Sequence, residues 1–138
     1  MKSVFNKKVV SLVVVVMLLS FSAALAAEIV PMARLYFLMG ACKMGKPDND
    51  TLYLNAYTLA KQQVSRVNVT IFLQAYINGT WVNVWSASQT AYGASKAEID
   101  RFVKPSKGYI YRLFAEHNVY HQGVSETDYS YTGSLIVN

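Results

Sequence analysis

The sequence contains one cysteine, three prolines and two histidines, and only 15% of its 138 residues are charged. A single cysteine excludes an intrachain disulfide, so the folded domain must be stabilised by its core. The few histidines and the lone Cys42 form no metal-ligand cluster of the usual spacing. We also find no phosphate-binding loop and no nucleophile–base pair. The residues therefore predict a protein that is not an enzyme and that uses no cofactor.

The N-terminal segment has the composition of a secretory signal. Residues 1–8 carry three lysines and no acid, and residues 9–23 are almost wholly apolar. Ala24-Leu25-Ala26 then supplies the small residues that a signal peptidase reads, which predicts cleavage between Ala26 and Ala27. The alternative is an uncleaved N-terminal anchor, but the apolar run is shorter than the roughly 20 residues of a membrane span.

We therefore divide the chain into a signal peptide, residues 1–26, and one domain, residues 27–138. Removing the leader removes three lysines, so ten basic residues remain against eight acidic ones. These basic residues are scattered singly, whereas a nucleic-acid interface needs them clustered on one face. We expect a secreted, extracellular protein, free or associated with the cell wall, with no membrane span after cleavage and no nucleic-acid partner.

Period-2 alternation dominates the rest of the chain, and helix signals are almost absent. The clearest run is residues 65–77, in which every second residue from Val67 to Ile77 is apolar, so this segment is predicted as a half-buried strand. Asn78-Gly79 follows, the preferred pair of a type I′ hairpin. Small polar residues at 87–95 predict a loop. The seven predicted strands are 34–44, 51–59, 65–77, 81–86, 96–104, 109–120 and 126–137.

The segment 103–109, followed by Tyr111, resembles the corner that enters strand F in fibronectin type III and immunoglobulin-like domains. In those domains a tyrosine hydroxyl bonds to the backbone a few residues upstream. Tyr109 and Tyr111 have the same strand parity, so either could be this structural tyrosine. The fold class is therefore predicted as all-β, a single immunoglobulin-like (fibronectin type III-like) antiparallel β-sandwich of about seven strands.

A second resemblance covers the chain from about residue 51 to its end. Gly79-Thr80-Trp81, Trp85-Ser86 and Lys107-Gly108-Tyr109-Ile110-Tyr111-Arg112 resemble a family of small secreted Gram-positive bacterial proteins of unassigned function. Arg34, before the first predicted strand, fits the same family, whereas residues 35–50 depart from its usual serine-rich form. The resemblance implies secretion and a β-sandwich, and it brings no catalytic residues.

One set of side chains could form a ligand platform on a sheet face. Exposed aromatic rings on a flat β face can stack on sugars, and neighbouring amides and charges can bind their polar groups. Ordinary cross-strand pairing explains the same residues without a ligand. The platform residues are Asn68, Gln74, Tyr76, Trp85 and Arg112.

Other candidate sites have simpler interpretations. His117 and His121 lie four residues apart on a strand, about 13 Å, which is too far for a shared metal ion without a sharp bend. Glu98 and Asp100 could form a glycosidase carboxylate pair, but a solvated strand face is the simpler interpretation.

Two further features lie near the start of the domain. Asp48 and Asp50 fit an Asx turn better than a calcium loop. Cys42 is interpreted as a small buried hydrophobe, with intermolecular pairing as the alternative.

The sequence thus predicts a secreted, non-catalytic binding or cell-surface module. Its expected partner is a cell-wall polysaccharide or an envelope protein. The alternatives are a bacteriocin-like secreted antagonist and, with less support, a secreted hydrolase. The sequence leaves the oligomeric state open.

Overall fold

The computed structural model describes residues 33–138. The predicted signal peptide and its cleavage site at Ala26 and Ala27 lie outside the described residues. All regular elements of the described part are β-strands, and each strand pair is antiparallel. No helix in this part could span a membrane. The all-β antiparallel prediction is confirmed for these residues.

The described residues form one six-stranded sheet instead of about seven separate strands. The second and third predicted strands are continuous, and so are the fourth and fifth. The loop prediction for residues 87–95 was wrong, because this segment pairs through its backbone with the neighbouring strand and needs little side-chain packing at the sheet edge. The strands are β1 Phe37–Gly45, β2 Leu52–Ile77, β3 Thr80–Val103, β4 Tyr109–His121, β5 Val124–Tyr131 and β6 Leu135–Val137.

Two tight hairpins connect the long strands. Asn78 and Gly79 have φ angles of 50° and 79° between β2 and β3, and Gln122 and Gly123 have 48° and 79° between β4 and β5. A type I′ turn needs positive φ at both central residues. The hairpin predicted from Asn78-Gly79 is confirmed.

The two longest strands, β2 and β3, run through two parts of the sheet. We define the first half-sheet as β1, residues 52–60 of β2 and residues 96–103 of β3. The second half-sheet comprises residues 64–77 of β2, residues 80–94 of β3, and β4, β5 and β6. Between the halves, the pairing with β3 skips from Leu59 to Val64 on β2, where the sheet curls.

The burial pattern of β2 shows how the pairing irregularity between residues 59 and 64 lets the two half-sheets share one core. Core-facing positions of β2 are even-numbered from Leu52 to Ala60 and again at Val64, and odd-numbered from Val67 to Ala75. The phase change turns the apolar face of each half-sheet toward the other. Thr58 of the first half-sheet accordingly contacts His117 of the second. The buried alternation predicted for residues 67–75 is confirmed.

The start of the domain is attached to β5. The Glu126 carboxylate accepts hydrogen bonds of 2.5–2.8 Å from the backbone N–H groups of residues 35–37. Burial raises the pKa of this carboxyl, but the three donors outweigh it and hold the pKa below its usual range. Arg34 forms an ion pair of 2.9 Å with Asp128 nearby.

Candidate functional site

Four of the five predicted platform residues share one surface. Asn68, Gln74 and Tyr76 alternate along β2 with the core residues, so they project from the second half-sheet away from the core. Arg112 on β4 is the cross-strand partner of Gln74 and projects the same way. We call this surface the outer face.

Trp85 lies on the opposite side of the sheet. It pairs with buried Leu73 and packs against the core. Trp81, four residues earlier, pairs with Tyr76 on the outer face. Four residues normally preserve the strand face. Here the partner of Leu73 is Trp85 and that of Gln74 is Asn83, so a β-bulge at residue 84 reverses the alternation.

Arg112 is held at the centre of a polar and aromatic cluster. Its Nε donates a 2.7 Å hydrogen bond to Oε1 of Gln74, whose own Nε2 donates to Asn83 at 2.8 Å. The guanidinium carbon lies 4.3 Å from the ring centroid of Trp81 and 5.0 Å from that of Tyr131. These contacts fix the guanidinium plane in cation–π geometry. We call Gln74, Trp81, Arg112 and Tyr131 the Arg112 cluster.

A ladder of rings lies next to this cluster. Phe114 on β4 stacks on Phe72 with centroids 5.5 Å apart, and on Tyr131 and Tyr129 at 4.8 and 5.7 Å. Interplanar angles of 20–26° mean that these rings lie nearly parallel to one another. Tyr129 and Tyr131 on β5 are more than half exposed, so these two rings of the ladder are accessible to a ligand.

Asn68 belongs to a separate polar groove at the other end of the outer face. The groove has a volume of about 370 Å³. The Asn68 amide donates to Ser88 and Thr90, and the Asn118 amide donates to Ser125 and Thr127. Among the described residues, the Glu116 carboxylate has no hydrogen-bond or ion-pair partner. The lining residues are Arg66, Asn68, Thr90, Tyr92, Glu116 and Asn118.

Trp85 and the two candidate structural tyrosines line an apolar cleft of about 340 Å³ at one end of the core. Tyr111 is buried, and its hydroxyl donates a 2.6 Å hydrogen bond to the backbone carbonyl of Ser106, five residues upstream. Tyr109 is 40% exposed. The sequence predicted that either Tyr109 or Tyr111 makes the hydrogen bond to the upstream backbone. In the structure, Tyr111 makes it.

His117 and His121 have separate partners. Thr58 Oγ1 donates to the carbonyl of Asn68 and therefore accepts from Nδ1 of His117 at 2.9 Å. The other ring nitrogen, Nε2, then accepts from the Ser130 hydroxyl at 2.8 Å. Burial lowers the pKa of His117, so the ring is neutral. His121 contacts Ser65 instead.

The Ser130–His117 pair was not visible in the sequence, because the two residues lie on different strands. A hydroxyl beside a neutral imidazole resembles the first two members of a nucleophilic triad. Ser130, however, lines neither the polar groove nor the apolar cleft. The nearby Cys42 thiol has a pKa raised by burial, which makes it a weaker nucleophile. This polar cluster is part of the packing between the half-sheets.

Glu98 and Asp100 lie side by side on the surface of the first half-sheet. The Asn55 amide donates to both carboxylates, at 3.2 and 2.8 Å. A hydrogen-bonded Lys96 lowers the pKa of Glu98, and the Tyr53 hydroxyl lowers that of Asp100. Both carboxyls are thus ionised at neutral pH, whereas glycoside hydrolysis needs one protonated acid.

The remaining acidic pair forms a turn. Oδ1 of Asp48 accepts a 2.9 Å hydrogen bond from the backbone N–H of Asp50, the contact that defines an Asx turn. No group of three or more histidine, cysteine or acidic side chains within residues 33–138 is arranged to hold a metal ion.

Comparison with known proteins gives little further information. No family model matches the chain, and no curated protein matches it. The chain is similar to a solved structure described as the crystal structure of a protein from Archaeoglobus fulgidus. The two are 10% identical, with 74% of this chain and 98% of the other covered and a TM-score of 0.36. A likeness this low carries no argument about fold or function.

Proposed function

We propose that this protein is a secreted, non-catalytic binding module that attaches to the cell surface through the outer face of its second half-sheet. The observation that carries the proposal is the Arg112 cluster. Its exposed tyrosine, its tryptophan and its arginine are the residue types that dominate binding surfaces. Core packing does not require these side chains, because they lie on the face turned away from the core.

We further propose an immunoglobulin-like sandwich and membership of the small secreted Gram-positive family. Strand pairing supports the first assignment. The first, second and fifth predicted strands form one half-sheet, and the third, fourth, sixth and seventh lie in the other. Immunoglobulin domains group strands A, B and E against C, F and G in the same way. The bond from Tyr111 to the carbonyl of Ser106 supports the same assignment.

Cell fractionation tests the function. Cells that express the full chain are separated into supernatant, wall and membrane fractions, and the N-terminus of the protein is sequenced in each. A wall-bound form that begins at Ala27 supports the proposal. A supernatant form that does not rebind isolated walls contradicts surface binding and favours a diffusible antagonist. A membrane form that begins at Met1 contradicts cleavage after Ala26.

A further inference from the structure

We propose that the Arg112 cluster is the anchoring subsite for an acidic polysaccharide, with the guanidinium binding one carboxylate group of the polymer. This inference rests on the proposed binding function and specifies its ligand.

The guanidinium is already fixed in one plane before any ligand binds. Nε is used by Gln74, and Trp81 and Tyr131 lie near the guanidinium carbon. The two terminal amino groups have no hydrogen-bond or ion-pair partner among the described residues. A planar pair of N–H donors matches the two oxygens of a carboxylate or phosphate. Little side-chain entropy remains to be lost on binding.

The charge of Arg112 is not neutralised locally. On its own strand the outer face next presents Phe114 and then Glu116, whose Cα lies about 13 Å from that of Arg112 along β4, and no ion pair joins the two residues. Gln74, the cross-strand partner, is neutral. The cluster therefore presents a positive charge between aromatic rings, which is complementary to an anionic group on a partly apolar ligand.

The position on the face favours a polysaccharide over an acidic peptide. Peptides that bind sheets usually add a strand to an edge, where backbone N–H and C=O groups are free. Arg112 and Gln74 lie on the inner strands β4 and β2, with β5 and β6 on one side and β3 on the other, so a ligand that reaches the guanidinium meets side chains and no free strand edge. A polymer that carries its own hydroxyl groups suits this surface better.

The polar groove lies at a distance that one extended polymer could span. Gln74 and Asn68 are six residues apart on β2, about 20 Å. At the far end, the Glu116 carboxylate has no partner among the described residues and can accept from sugar hydroxyls, beside the serine and threonine hydroxyls held by Asn68 and Asn118. A chain that runs along β2 would thus meet the Arg112 guanidinium at one end and, at the other, a groove in which the charges of Arg66 and Glu116 offset each other.

The test measures binding of the purified protein from full-chain expression to polygalacturonate, with dextran as the neutral polysaccharide. We expect binding to polygalacturonate only, weaker at higher salt. Arg112→Gln should weaken it by roughly tenfold or more, since a hydrogen-bonded charge is lost. Arg112→Lys keeps the charge and loses the planar fork, so it should restore only part of the affinity.

Controls separate this inference from the proposed function. Arg101→Gln removes an exposed arginine from the first half-sheet and should bind like wild type. Thermal unfolding of each variant checks that it is folded. The inference would be overturned if wild type and Arg112→Gln bound polygalacturonate with equal affinity. It would also be overturned if a protein that fractionates with walls did not bind polygalacturonate, and in both cases the proposed binding function would still stand. Equal, Arg112-dependent binding to poly-L-glutamate would overturn the polysaccharide assignment. Failure of the protein to associate with walls would contradict the proposed function itself.

Discussion

The imidazole ring of His117 lies against Gly40, in the space that a side chain on residue 40 would need. This contact joins β1 to β4 across the core, and only glycine allows so close an approach. We expect Gly40→Ala to lower the free energy of unfolding by about 1–3 kcal/mol through overpacking. Gly133→Ala, where an added methyl group meets open space, should have little effect. Urea denaturation measures both, and equal midpoints for the two variants would contradict the packing argument.

His117 should also make the fold sensitive to mild acid. Burial holds its pKa below 6.5, its value in the unfolded chain, so the unfolded state binds more protons as the pH falls through this range. Stability is therefore complete above about pH 6.5 and decreases below it, toward the lowered pKa of the folded state. Glu126 and Asp128 also have lowered carboxyl pKa values in the folded state, so their protonation decreases the stability further at more acidic pH.

Unfolding free energies at pH 7.5 and 5.5 test this prediction. We expect a decrease in the wild-type protein and in His121→Gln, which keeps the buried ring. His117→Gln should show a smaller decrease, because it lacks the titrating group. The same decrease in all three proteins would assign the acid sensitivity to other residues.

The two tyrosines at the start of β4 should differ in their effects on stability. Tyr111→Phe removes the hydroxyl that bonds to the Ser106 carbonyl, and we expect a loss of about 1 kcal/mol. Tyr109→Phe should be close to neutral, because Tyr109 is partly exposed and its hydroxyl has no partner among the described residues. Thermal denaturation compares them. A larger loss for Tyr109→Phe would indicate that the wrong tyrosine has been assigned to the corner.

The bulge between Trp81 and Trp85 predicts opposite roles for the two tryptophans. Trp85→Ala should lower stability by roughly 1–3 kcal/mol, since it removes a half-buried ring from the core. Trp81→Ala should affect stability less, because its ring lies on the outer face, but should weaken binding by removing one side of the Arg112 cluster. Chemical denaturation and polysaccharide binding separate these effects. A stability loss at Trp81 that exceeds the loss at Trp85 would contradict the assigned faces.

The sequence predicted most residues of the candidate surface correctly, but it wrongly included Trp85. Simple alternation places Asn68, Gln74 and Tyr76 on one face of β2, and the structure agrees. The same rule gives Trp81 and Trp85 a common face, but the unpaired residue 84 separates them. A β-bulge is set by the register between two strands, so it leaves no clear signal in the sequence of either strand.

Local sequence by itself determined the strand character of this domain, the Asn78-Gly79 hairpin and the apolar face of residues 67–75. Each depends on alternation or on backbone preferences that act over a few residues. Tertiary structure decided that residues 87–95 complete a long edge strand and that Thr58, His117 and Ser130 share one hydrogen-bonded cluster. It also placed Arg112 between two rings from different strands. These features depend on strand register and on the curl between the half-sheets, which bring together residues distant in the chain.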